Sequence, residues 1–472
     1  MRRHRFSLRP VLLRTLFARQ LVAAFGSRLA TVALSATLIA GAARADDWPQ
    51  WLGPQRDAVW RETGIVKSFP AEGLPKRWRV EVGGGYAGPA VAQGRVYLMD
   101  RILAPTNSLP ASGFAKAKLQ GQERVLCVNE ADGKLLWVRA YDCPYDVMYP
   151  AGPRVTPAVG GGKVYTLGTM GDLYCLDAAT GAVLWSHDFK SDYGIEPPVW
   201  GFSGHPLIDG SRMICLARGA GTTAVAFDKN TGKEVWRALS AKEPGYAPPM
   251  IFEAVGKRQL IIWHPEAINS LNPETGEVYW SEPFTAKQGM SISTPRRDGD
   301  QLFFTCFYNG SIMLKLDESK PAASVVWRRS GKNEQNTDAL HSVMSTPVLE
   351  NGYIYGVCSY GQLRALRADN GDRVWETLAA TVDGKEARWG NAFIVKNGDR
   401  YFLCNEKGDL IIAELNPAGY HEISRTHLLE PTNIAAGRPL VWSHPAFADR
   451  CVFARNDKEL ICVSLADTGS AK

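Results

Sequence analysis

From residue 76 to the C-terminus the chain reads as short apolar runs, four or five residues long, cut by glycine- or aspartate-containing turns. Val164-Tyr-Thr-Leu167 and Ile354-Tyr-Gly-Val357 are examples. Runs of that length, rich in β-branched and aromatic residues and closely bounded by turn formers, predict strands rather than helices. Many sets of runs open with a proline: Pro89, Pro157, Pro206, Pro295, Pro347 and Pro445, with Pro248-Pro249 and Asn391-Ala392 as variant copies. Proline lacks an N–H for the ladder, so it is tolerated at the first position of a strand and marks where one begins.

A second pattern follows each proline. Asp177-Ala-Ala-Thr-Gly181-Ala-Val-Leu-Trp185 and Asp228-Lys-Asn-Thr-Gly232-Lys-Glu-Val-Trp236 share one spacing. It recurs in Asn272 to Gly276 and Trp280, in Asn129 to Gly133 and Trp137, and, without the acid, in Arg367 to Gly371 and Trp375. Asp317 with Trp327 carries two extra residues, Asn416 to Gly419 has lost its tryptophan, and Ser464 to Gly469 is truncated. The Asp or Asn carboxamide or carboxylate accepts turn N–H groups, glycine supplies the positive φ of a tight hairpin, and tryptophan packs between repeats. The eight anchors, 129, 177, 228, 272, 317, 367, 416 and 464, lie 44 to 51 residues apart. That is the period of a four-stranded propeller blade. The predicted fold is all-β: an eight-bladed β-propeller of four-stranded antiparallel blades.

The last copy lacks an outer strand, and an orphan strand with the outer-strand tryptophan, Lys76-Arg-Trp78-Arg-Val80-Glu-Val82, precedes the first. Pairing residues 76–82 with the last blade closes the ring and removes its open edges. The domain reading is then a signal peptide at 1–45, a lead-in at 46–75 packed outside the propeller, the propeller at 76–466 and a tail at 467–472. Residues 1–45 hold eight arginines, no lysine and no acid, with an apolar stretch from Leu29 to Ala42 and Ala43-Arg44-Ala45 before Asp46. A basic region, a short apolar region and an A-x-A site together predict export to the periplasm or the exterior. The pattern does not choose between export routes, and no cysteine follows the site to carry a lipid anchor.

Charge changes its meaning once that segment is set aside. The formal net charge is +6, from 54 basic and 48 acidic residues, but eight of the basic ones lie in the leader. The mature chain is slightly acidic, which offers nothing to nucleic acid, and holds no apolar span long enough for a membrane helix. Of nine cysteines, eight fall in apolar runs at matching places and read as small buried hydrophobes. Cys143 is expected in a loop, and Cys451 and Cys462 flank one turn, with pairing left open. There is no Cys/His spacing suited to zinc, and no metal is expected. His205 and His444 stand at equivalent places on blades 3 and 8, separated around the ring.

The repeats resemble the PQQ-like repeat family, whose pattern A-x-D-x-x-T-G-x-x-x-W is met in full from Ala226 to Trp236. The lead-in, Asp47-Trp48-Pro49-Gln50-Trp51-Leu-Gly53 onward, looks like the opening of secreted bacterial propellers of this type. The family includes quinoprotein dehydrogenases and BamB-like scaffolds, so fold alone does not decide function. A dehydrogenase would need carboxylate and amide oxygens for Ca²⁺, an arginine near the quinone, an indole floor, an aspartate base and, in one branch, adjacent cysteines. No adjacent cysteines exist here, and Arg154, Asp192, Glu196 and Trp200 are the loop residues open to recruitment. A carbohydrate-active enzyme would need paired carboxylates drawn from Asp142, Asp146, Asp192, Glu196, Glu243, Asp338 and Glu386. The favoured reading is a non-catalytic scaffold without cofactor, binding an unknown protein or small molecule, with a PQQ- and Ca²⁺-dependent dehydrogenase of alcohols or sugars as the alternative.

The candidate site follows from the repeat. Three residues before each inner-strand proline or its equivalent stand Tyr86, Arg154, Ser203, Tyr246, Ile292, Met344, Trp389 and Trp442, expected to ring the mouth of the central channel. Trp200 and His341 extend the set. Binding residues ride on loops held by a rigid frame, and Tyr, Trp and Arg dominate binding hot spots. The competing reading is that aromatics at strand starts only pack the connections down.

Overall fold

Strands this short bury their apolar faces only by pairing side by side and stacking sheet on sheet. The computed structural model describes residues 46–467 apart from 117 and 383. It shows eight four-stranded antiparallel sheets. Blades 1 to 7 span residues 90–142, 158–188, 207–238, 250–283, 296–329, 348–377 and 392–427. Blade 8 combines residues 446–464 with Lys76–Glu81, which pairs antiparallel with Glu459–Ser464, Trp78 opposite Cys462 and Val80 opposite Leu460. The chain's beginning thus closes the ring its end leaves open. The expected leader, 1–45, lies outside the described residues.

The turn chemistry is as the repeat demands. Asp228 Oδ1 accepts the N–H groups of Asn230 and Thr231 at 3.0 and 2.9 Å, and Asp177 does the same for Ala179 and Thr180. Five of the motif tryptophans then grip the next blade. Trp137 Nε1 donates to the Ala178 carbonyl, Trp185 to Lys229, Trp236 to Pro273, Trp327 to Ala368 and Trp375 to Asn416, at 2.8–3.2 Å. Trp78 carries the pattern across the closure, donating to the Glu130 carbonyl of blade 1 at 2.7 Å. All of these rings but Trp375 lie on the turn glycines: a Cβ on Gly232, at φ +74°, would stand 2.8 Å from the Trp185 ring. Glycine therefore serves two ends at once, the positive φ and a bare surface for the indole. Trp280 departs from the pattern and donates to Gln259 Oε1 of its own blade. The turn it would meet is the copy at 317–327, which has two extra residues and no glycine.

Cys143 lies in a loop as expected, buried there with Leu119, Tyr145 and Val147 under the connection into blade 2. One expectation needs correction. The lead-in, expected outside the ring, enters its axis. Trp48 exchanges backbone hydrogen bonds with Val91, the Val159 N–H donates to the Pro49 carbonyl, and Lys396 exchanges with Ala58 and Trp60. The channel-facing edges of blades 1, 2 and 7 would otherwise leave these groups unpaired, and an inserted segment satisfies them. Arg56 adds three bonds to carbonyls of blades 3 and 4, those of His205, Pro206 and Pro249. All nine cysteines are free, and Cys451 and Cys462 sit diagonally on one face of blade 8. Among the described residues, no helix is long and apolar enough to cross a membrane.

Candidate functional site

A proline at seven of the eight inner-strand starts, with Ala392 in its place in blade 7, marks where the connection from the previous blade turns into the channel. The residue three places earlier therefore reaches the axis from the same height in every blade. All eight, Tyr86, Arg154, Ser203, Tyr246, Ile292, Met344, Trp389 and Trp442, line one axial cavity of about 510 Å³. That volume lies in the range of small-molecule sites. Trp200 lines it as well. His341 does not: it is fully buried, with Nδ1 on the Phe307 carbonyl at 2.8 Å and Nε2 accepting the Gly331 N–H, and burial pushes its pKa down to about 4. His341 ties two connections together below the surface.

The cavity is blind. Trp51 of the lead-in forms its floor, stacked on His205 at 4.1 Å and 11° and met edge-on by His444 at 4.2 Å. Its indole N–H donates to Thr294 of blade 5 at 2.9 Å. The two histidines, expected to be apart on blades 3 and 8, come within 6.0 Å of each other because side chains converge where strands do not. Thr156 bonds both, its N–H to His205 Nδ1 at 3.1 Å and its hydroxyl to His444 Nε2 at 2.6 Å. Burial drives both imidazoles toward the neutral form, His444 down to about 4 and His205 well below its ordinary value, with His444 and Arg56 adding to the effect on His205.

Over the floor stands a cluster of rings that the repeat pattern only half announces. Phe114 meets Tyr149, Trp200 and Trp389 at 5.3, 6.0 and 5.4 Å, and Tyr149 meets Trp442 at 5.8 Å. Phe114 comes from an insertion between the second and third strands of blade 1, where the separation from Pro89 to Asn129 is twice that from Pro157 to Asp177. That excess length was its signal. Tyr149, Gln288 and Trp389 line the cavity with φ of 51°, 59° and 63°. Bulky residues held in the left-handed region are strained, and such strain gathers at functional sites.

The cavity's charge is one-sided. Arg154 donates to the carbonyls of Trp200, Met148, Tyr149 and Gly152 and lies 5.2 Å over the Tyr86 ring. Arg388 lies 4.6 Å over the Trp389 ring and is ion-paired with Glu334. Among the described residues, no aspartate, glutamate or asparagine lines the cavity. The loop acids are engaged elsewhere: Asp192 with His187, Glu243 with Arg218, Asp338 with Arg329 and Glu386 with Gln362. Asp142 accepts from Gln122, and neither Asp146 nor Glu196 lines the cavity. Among the described residues no cluster of three or more histidine, cysteine or acidic groups is placed to hold a metal.

Residues 121–377 and 325–472 match the PQQ-repeat family described as outer membrane protein assembly factor BamB. The chain belongs to that family. BamB of Moranella endobia (strain PCIT) is 24% identical over 271 residues, covering 54% of this chain and 66% of that protein. Quinoprotein alcohol dehydrogenase PedH of Pseudomonas putida is 28% identical over 149 residues, covering 28% of this chain and 23% of that one. The chain thus spans just under two thirds of the length of the BamB relative. The crystal structure of quinohemoprotein alcohol dehydrogenase from Comamonas testosteroni superposes with a TM-score of 0.57 at 14% identity, over 92% of this chain and 82% of that one. At that identity the likeness is one of fold.

The quinoprotein relatives raise the question of a quinone held with Ca²⁺. The cavity offers an indole floor in Trp51 and an arginine in Arg154, but the hard oxygen donors that Ca²⁺ takes are missing from its lining apart from the Gln288 side chain. The residues present do not fit that group.

Proposed function

We propose that the mature chain is an exported, non-catalytic scaffold of the BamB-like type, and that its axial cavity is a binding site for a ligand group entering from the face that bears the inter-blade connections. The observation that carries this reading is the convergence of eight equivalent positions, with strained Trp389 among them, on a cavity closed below by Trp51. A concave, largely aromatic lining with few polar groups is the composition of small-molecule sites and binding hot spots. The BamB relatives support a role in the cell envelope, and the leader supports export.

The test uses N-phenyl-1-naphthylamine, a neutral apolar fluorophore, titrated into purified mature protein. Saturable binding of one probe per chain, weakened at least tenfold by Trp442→Ala with little change in unfolding temperature, is the expected result. Absence of saturable binding sinks the reading. In parallel, protein incubated with PQQ and Ca²⁺ is assayed for dye-linked alcohol oxidation. No turnover is expected, and Ca²⁺-dependent turnover would make the chain a dehydrogenase instead.

A further inference from the structure

We infer that the axial cavity selects a flat, apolar ligand carrying a negative charge, and takes it without a divalent cation. The inference rests on the cavity being a binding site and adds the chemistry of what it holds. Its first ground is uncompensated charge. Arg154 spends its hydrogen bonds on four backbone carbonyls, so its positive charge meets no carboxylate at the wall. Below the floor, Arg56 is buried and bonded to three carbonyls and to the Gln50 side chain, again with no carboxylate. Burial pushes its pKa down to about 9, which leaves it charged at neutral pH. Arg388 is balanced by Glu334, and the floor histidines are neutral, so neither cancels this excess.

The second ground is what the lining lacks. A cation-mediated site needs several oxygen donors converging on one point, and no carboxylate faces the cavity. An anionic group must then be met by the Arg154 guanidinium, with Arg56 adding its charge from beneath the floor, in a low-dielectric enclosure where an unpaired charge interacts strongly. The third ground is shape. The walls are ring faces and edges from Phe114, Tyr149, Trp200, Trp389 and Trp442, spaced 5.3–6.0 Å centre to centre, above the Trp51 floor. Aromatic surfaces at these separations favour planar partners, which stack or meet them edge-on.

Three isosteric probes separate charge from shape: 2-naphthoate, 2-naphthalenemethanol and 2-naphthylmethylammonium, each titrated by calorimetry with and without EDTA. The naphthoate is expected to bind at least tenfold more tightly than the alcohol, the ammonium most weakly of the three, and EDTA to change nothing. The advantage should shrink with added salt, and Arg154→Met should abolish it while Arg154→Lys keeps most of it. Because Arg154 also secures backbone, the wild-type ranking decides by itself if the Met variant does not fold. Equal affinities for naphthoate and alcohol overturn the charge inference and leave the binding site standing. Binding that needs Ca²⁺ overturns the claim that no cation is involved. No binding of any probe overturns both the inference and the proposed function.

Discussion

At the rim, five tryptophans do one thing: each lies on the next blade's turn and donates to a carbonyl there, and Trp78 repeats this across the closure. At the axis, eight equally equivalent positions carry Tyr, Arg, Ser, Tyr, Ile, Met, Trp and Trp, and share only the cavity they face. The two regions obey the same eightfold geometry and use it differently. A rim residue must satisfy the same neighbour in every blade, so one solution is copied. An axial residue meets seven different counterparts and the lead-in, so copying would give a uniform ring with no particular guest. Repetition marks what the fold requires, and its loss at equivalent positions is what the proposed binding site calls for. Trp280 shows the rule at the rim, since the turn lengthened by two residues at 317–327 is one its tryptophan does not grip.

The comparison breaks most severely at closure. Deleting residues 76–82 removes both the outer strand of blade 8 and the Trp78 contact, and the expected outcome is insoluble protein or loss of cooperative thermal unfolding. A fully stable deletion protein would show that the ring does not need its latch. Next in size is the rim itself: Trp236→Ala should cost about 3–5 kcal/mol in denaturant unfolding, the range for a large buried aromatic.

The floor gives a pH signature between these extremes. His444 is held near 4, against an unfolded imidazole near 6.5. The fold therefore binds fewer protons than the unfolded chain, and this contribution is present above about pH 6.5 and lost as pH falls toward 4. His444→Gln should flatten the stability–pH curve in that window by up to about 3 kcal/mol, at 1.36 kcal/mol per pKa unit. Asp172, raised to about 6 by burial and by Glu123, runs the other way, losing stability as pH rises, so the variant and wild type are compared rather than the wild type alone. Identical slopes for the two would remove His444 from the floor's energetics. The smallest expected effect is on the axial wall: half-buried Trp442→Ala should lower stability by about 1 kcal/mol or less. A loss as large as that of Trp236→Ala would return the axial aromatics to a packing role.

The candidate site was legible where it follows the repeat and hidden where it does not. Counting back three residues from each inner-strand proline, or from Ala392 in its place, reached all eight wall positions, because the blade period fixes where every connection enters the channel. Trp51, Phe114 and Tyr149 lie outside that count, in segments that occur once. His341 was misplaced because its position relative to the strand start differs from the eight, and a side chain a few residues off that register points into the core.

Sequence by itself determined the blade number, the turn chemistry, the rim tryptophans and the closing strand, since each depends on contacts between neighbours a fixed distance apart along the chain. Tertiary structure alone decided that part of the lead-in crosses the channel as a floor, that His205 and His444 meet across it on Trp51, and that Arg154 and Arg56 face no carboxylate. The physical reason is closure. Bending eight repeats into a ring brings together residues far apart in sequence, and no local period records which of them will meet at the axis.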